Sequence, residues 1–347
     1  MARQTSPLFL VLIFIVLVAV AGLLAVFYLP PRQQVTGNVF ILLESTVPYH
    51  SAFYVALDKG YFTSEGIFVT YAVGRGSADV ISKLGAGVTN VAVVDPVVAV
   101  TAAEKEKISI VSVLSFYPRI PVAFLYFEES GISKPSDLEG KKMGVDLRSP
   151  TGFILPYVCN LAKINCDRIE KVNMELAAYV PSFLAKKVDT FPGFIGGTAS
   201  VARSSAEKQG IKVSWITWAD LDLKTIGNSL FVRRDFLDTN RELVTRLVKA
   251  WLQGIRYTMQ NPDEAAAIFV KYNPGADLDV TKKSIIDYIE FYKKYSASNR
   301  LGYMDEKGWE EVYKLAVEFF AVSRDALQRW QQTFTNDFVN SANIQLP

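Results

Sequence analysis

The chain has 347 residues, half of them hydrophobic and 21% charged, with a formal net charge of +2. That length suffices for two ordinary domains, and the composition excludes a disordered chain. Interspersed charges argue against a nucleic-acid partner, and one histidine with two cysteines excludes a His-rich or Cys-rich metal site. From Leu8 to Leu29 the chain is uncharged, and only Gly22 and Tyr28 depart from aliphatic or Phe character. A membrane helix needs about 20 apolar residues, whereas the core of a secretory signal has about 7–15. The run therefore predicts an N-terminal transmembrane helix, with a cleaved signal segment, ending near Ala19-Val20-Ala21, as the alternative. Residues 1–36 are read as this anchor or signal with a short spacer that Pro30 and Pro31 begin.

A first strand is predicted at 39–43. Pro48-Tyr49-His50 then makes a turn, followed by a short helix with Ala52, Phe53, Ala56 and Leu57 on one face and Gly60 at its end. A β-branched and aromatic strand follows at 68–73. Gly74-Arg75-Gly76-Ser77 is a small-residue turn, with Ser77 as the expected N-cap of a helix through Leu84. A buried strand at 90–94 stops at Asp95-Pro96, and a helix at 97–105 leads to a strand at 108–114. This alternation predicts an α/β fold, a parallel sheet with helices on both faces. A strand at 122–127 starts a second series, with strands at 143–145, 171–174, 190–194 and 212–215 and a helix opened by the loop 146–150. A strand at 230–233 returns to the first lobe, and helices at 241–260, 262–272, 279–295, 305–320 and 324–334 complete it. The expected domains are lobe 1 (37–120 and 230–347) and an inserted lobe 2 (121–229). Two crossovers between such lobes form a hinge, with the ligand site in the cleft at the strand C-termini.

The stretch PYHSAFYVALDKGYFTSEGIFV resembles the opening of substrate-binding proteins of ABC importers in the nitrate/taurine/thiamine-pyrimidine (SsuA/THI5-like, NMT1-like) family. The resemblance runs from about Asn38 to about Asp279. It implies a two-lobed periplasmic-binding-protein type II fold and a globular part outside the cytoplasm, tethered at the cell membrane by a single pass. It further implies a monomer that captures a small nitrogen-containing solute, of thiamine-pyrimidine precursor type, and delivers it to the transmembrane subunits of an ABC permease. Taurine, an aliphatic sulfonate or nitrate are the alternative ligands, and no cofactor is expected. Pyrimidine synthases share the fold and the Pro-Tyr-His pattern, but they carry a cofactor lysine and a histidine where this chain has Val94 and Val98. They also carry a cysteine-rich run where it has Gly227 to Val232. No catalytic residue is therefore assigned.

The candidate ligand residues follow the strand ends. Tyr49 is expected to stack on a flat ring and His50 to bond its edge. Arg75, Gly76 and Ser77 offer an anion clamp or a solvated turn. Asp95 either accepts from a ligand amine or caps the following helix. Ser149, Thr151 and Gly152 open a helix in the inserted lobe, Gly193 belongs to its second ligand loop, and Asn228 lies at the return crossover. Cys159 and Cys166 would be too far apart on an unbroken helix but could pair across a reversal near Ile164-Asn165.

Overall fold

The computed structural model describes residues 37–347. Each β-branched or aromatic run bounded by turn residues becomes a strand, and the strands fall into two five-stranded sheets. The first holds β1 (Gly37–Leu43), β2 (Ile67–Val73), β3 (Val91–Val94), β4 (Ile110–Ser115) and β10 (Ser229–Arg233) in the order β2-β1-β3-β10-β4. The second holds β5 (Val122–Phe127), β6 (Lys142–Val145), β7 (Glu170–Asn173), β8 (Thr190–Phe194) and β9 (Val213–Thr217) in the order β7-β6-β8-β5-β9. The sheets are mixed, which corrects the parallel expectation. β10 enters antiparallel between β3 and β4, and β5 runs antiparallel to both β8 and β9. These are the strands that arrive from the other sheet, and each enters against its neighbours' direction.

Every residue of β3, β4 and β5 is buried, so both faces of these strands must be covered. Side chains alternate between two cores: Ile41, Leu43, Val91 and Val93 face one, and Leu42, Ala92 and Val94 face the other. Trp251, from the helix Arg241–Gln260, fills the first core; Trp309, from the helix Glu306–Phe319, fills the second.

One expectation lies outside the described residues, and two change. The transmembrane helix expected at Leu8–Leu29 lies outside the described residues; among the described residues no helix is long and apolar enough to cross a membrane. Ser77 is not an N-cap, because the helix Ser77–Gly85 starts one residue earlier, with Gly76 as its N-cap at φ 90°. Ser77 Oγ instead accepts from the Asp95 N–H at 3.0 Å. The helix expected at 324–334 is two short 3₁₀ turns, Arg324–Gln328 and Trp330–Gln332. The chain there is drawn out to bridge β4: Ser112 N–H donates to Thr333 O at 2.8 Å, and Thr335 N–H donates to Ser112 O at 3.0 Å.

The helix Pro150–Leu161 ends at a reversal in which Lys163 is left-handed, and this brings Cys159 and Cys166 into a disulfide with Cα atoms 5.6 Å apart. A loop this short restricts the unfolded chain by about 2 kcal/mol. Cys159→Ser/Cys166→Ser should therefore lower unfolding stability by about that amount, measured by urea denaturation with and without reductant, and reductant should then have no further effect on the variant.

Candidate functional site

The parallel strands of both sheets end at one cavity of about 440 Å³. Its walls come from the segments after β1 (Glu44 to Tyr49), β2 (Arg75 to Ala78) and β3 (Asp95 to Val98) on one side. On the other side are the segments after β6 (Asp146 to Ile154), β7 (Leu176, Tyr179) and β8 (Phe194, Gly197, Thr198), with Asn228 just before β10. Strand C-termini are where parallel α/β sheets leave backbone and side chains free to meet a ligand. Tyr49 N–H donates to Gly196 O at 3.1 Å, so the loops after β1 and β8 meet directly beside the cavity. Gly196 has φ 77°, and a Cβ there would lie 2.7 Å from the Tyr117 hydroxyl. That backbone contact leaves room for no side chain.

At the base of the cavity is a buried carboxylate that the sequence reading did not single out. Glu44 directly follows β1 and is 5% exposed. The Tyr49 hydroxyl donates to its Oε1, as do Asn228 Nδ2 at 3.0 Å and Ser45 Oγ at 3.1 Å, while His50 Nε2 lies 3.0 Å from Oε2. Asn228 Nδ2 also donates to the Tyr49 hydroxyl at 2.9 Å. Burial works against the Glu44 charge, but His50, when protonated, and the bonds from His50 and Tyr49 outweigh it and hold the carboxyl below its ordinary 4.5. Burial, and after it the Glu44 charge, push the Tyr49 phenol well above its ordinary range.

Of the expected residues, Tyr49, Arg75, Gly76, Ser77, Asp95, Ser149, Thr151 and Asn228 line this one cavity. His50, Gly152 and Gly193 do not. His50 is buried beneath Tyr49, and its ring nitrogen belongs to Glu44. Gly152 is there for packing, since a Cβ would lie 2.2 Å from Asp146 O. Gly193 sits inside β8, where a Cβ would meet the Phe191 ring at 2.6 Å and Ala199 at 3.0 Å. Tyr49 is also not the open stacking platform expected: it is 3% exposed, enclosed by His50 at 4.1 Å and Tyr117 at 5.0 Å between ring centroids. The half-buried rings lining the cavity are Phe194 and Phe320. The Ser149 hydroxyl is committed to capping, donating to Asp146 O and accepting from Gly152 N–H.

Asp95 does cap its helix: Oδ1 accepts from Val97 N–H at 2.9 Å and Val98 N–H at 3.1 Å. Burial pushes its carboxyl up to about 6; the Val98 and Val97 amides oppose this, and the Glu44 charge adds to it.

The sequence from 47 to 265 matches the family model described as "NMT1/THI5 like". The chain belongs to the NMT1/THI5 like family. Among its relatives, riboflavin-binding protein RibY of Chloroflexus aurantiacus is 26% identical, over 89% of this chain and 88% of that one. The 4-amino-5-hydroxymethyl-2-methylpyrimidine phosphate synthase THI11 of Saccharomyces cerevisiae is 24% identical over 87% of each chain. The formylaminopyrimidine-binding protein of Halalkalibacterium halodurans is 23% identical, over 84% of this chain and 90% of that one. In three dimensions the periplasmic aliphatic sulphonate binding protein SsuA of Escherichia coli superposes with a TM-score of 0.66 at 15% identity, covering 84% of this chain and 88% of that one. This NMT1/THI5 like chain thus has the periplasmic-binding-protein fold.

The raised Asp95 carboxyl has a measurable consequence. Folding takes up a proton between the unfolded value, 3.8, and the folded value of about 6. The stability linked to this carboxyl is therefore fully present below 3.8 and is lost as pH rises through 6. Asp95→Asn keeps a capping side chain but cannot titrate. The wild-type stability minus that of Asp95→Asn should fall by about 1–3 kcal/mol between pH 4 and pH 7, measured by urea denaturation across that range. A flat difference would contradict the burial described here.

Proposed function

We propose that this protein is the extracytoplasmic solute-binding component of an ABC importer, and that it holds a small planar nitrogen heterocycle of the thiamine-pyrimidine type. Lobe 1 (37–120 and 230–347) and lobe 2 (121–229) close on the solute about their two crossovers and hand it, untransformed, to the permease. The apolar run Leu8–Leu29 tethers the protein to the membrane, and the Cys159–Cys166 disulfide suits an oxidising compartment.

The observation that carries the solute class is the lining of the cavity. Apolar and aromatic groups predominate, among them Val47, Val98, Ile154, Phe194 and Phe320, which suits a flat ring. Three carboxylates, Glu44, Asp95 and Asp146, face one guanidinium, Arg75, which is exposed. That balance disfavours nitrate and sulfonates. A flavin is the second reading, supported by the likeness to RibY along nearly the whole of both chains. An enzymatic role is disfavoured, because Val94 and Val98 supply neither an amine nor an imidazole at the positions the synthases use.

Thermal shifts of the full-length chain in mild detergent test this reading with 4-amino-5-hydroxymethyl-2-methylpyrimidine, riboflavin, taurine and nitrate. A heterocycle at 100 times its Kd should add about 2.7 kcal/mol of stability, while the anions add none. Phe194→Ala should weaken heterocycle binding by about tenfold or more through loss of ring contact. Stabilisation by nitrate or taurine alone would transfer the site to the anion class.

A further inference from the structure

The cavity wall contributed by the first sheet carries an acceptor that no group of the protein uses. Asp95 Oδ1 is committed to the Val97 and Val98 amides, and the Asp95 N–H is held by Ser77 Oγ. These bonds hold Asp95 in the wall of the cavity it lines. Its other oxygen, Oδ2, has no hydrogen-bond partner and no ion-pair partner among the described residues. Glu44, by contrast, has both oxygens engaged, by Tyr49, Asn228 and Ser45 at Oε1 and by His50 at Oε2, so the two acids of this wall have different work.

A second, independent observation has the same polarity. β10 pairs with β3 so that Ser229 opposes Val94, which puts Asn228 next to Asp95 just beyond the last rung. Asn228 is 4% exposed, and its Oδ1 has no partner, because an ionised Glu44 can only accept and so keeps Nδ2 turned towards itself. The strand register thus sets a residue with a buried, unpaired acceptor next to Asp95. An acceptor left unpaired away from water is unfavourable until a donor arrives.

We propose that Asp95 Oδ2 is the specificity-determining acceptor of the site, taking a hydrogen bond from an N–H on the ligand's ring or from its exocyclic amine. The inference rests on the solute-binding reading above and narrows it: the ligand is recognised through a donor, and an analogue whose donor is methylated is rejected. A 4-aminopyrimidine and the imide edge of a flavin both supply such an N–H, so either source satisfies the chemistry. Asp95→Asn inverts the polarity at this one position. The asparagine Oδ1 takes over the cap, which leaves an Nδ2 donor facing the cavity where the acceptor was.

Isothermal titration of the full-length chain at pH 7.5 tests this with two matched pairs: riboflavin with 3-methylriboflavin, and 4-amino-5-hydroxymethyl-2-methylpyrimidine with its 4-dimethylamino analogue. For whichever parent binds, the methylated partner should bind roughly 10- to 100-fold more weakly to wild type, as expected for a hydrogen bond to a charged group. Asp95→Asn should weaken the parent by a similar factor and bring the two members of the pair close to equal affinity. Urea denaturation of Asp95→Asn separates this from damage to the fold, since the capped helix should unfold with wild-type cooperativity. A parent that binds wild type and Asp95→Asn equally overturns this inference and leaves the solute-binding reading standing. Failure of both parents to bind overturns the two together.

Discussion

A carboxylate buried at the end of a strand must be paired, and the arrangement of the cleft follows from how Glu44 is paired. Its partners come from two separated places in the chain: the segment that follows β1, with Ser45 and the Pro48–His50 turn, and Asn228 at the crossover that returns the chain to the first sheet. Removing water from a charge is expensive, and only a nearly complete set of donors offsets it. The donor set here is nearly complete. It fixes the Tyr49 hydroxyl, and with it the Tyr49 backbone that meets Gly196 of the second sheet. One charge thus ties the crossover, the first loop of one sheet and a loop of the other into a single floor beneath the cavity.

The rest of the site is built over this floor. Because Glu44 uses all of its partners, Asp95 one strand away is left without a counter-charge, and burial together with the neighbouring Glu44 favours its neutral form. The two carboxyls are therefore shifted in opposite directions, Glu44 below its ordinary value despite its burial and Asp95 above its own because of burial. On the reading proposed above, a solute that brings a donor supplies what the fold withholds from Asp95, whereas a bare anion adds repulsion. The apolar rings and aliphatic side chains that share this cavity lower the polarity around such a bond, which strengthens it.

Much of this architecture was legible in the sequence, because strand patterning and turn residues act locally. The runs around Val39, Val91, Val122 and Thr190 became strands, and the Asp95-Pro96 pair became a helix start with the expected cap. What escaped local reading was decided by partners distant in the chain. Ser77 has a good N-cap side chain, but its hydroxyl is drawn to the Asp95 amide 18 residues away. The segment around Phe334 has helical spacing, yet Ser112 of β4 offers it a backbone partner and the helix is given up. Glu44 looked like a polar strand end. Its signal was present nonetheless, since it stands six residues before the chain's only histidine, and a buried imidazole commonly needs a partner for its ring nitrogen. The packing glycines Gly152 and Gly193 share motifs with cavity residues, and no feature of the sequence separates a glycine that admits a ligand from one that admits a neighbouring chain.

The direct test of the Glu44 floor is the titration of that carboxyl itself. Carbon NMR of protein labelled at the glutamate side-chain carboxyl, with Glu44→Gln used to assign the resonance, gives its midpoint in the folded chain. A midpoint below 4.5 is expected, because His50 and the surrounding donors outweigh burial. A midpoint at or above 4.5 would mean that burial prevails, that Glu44 is protonated in mild acid, and that the floor of the cleft is not organised around its charge.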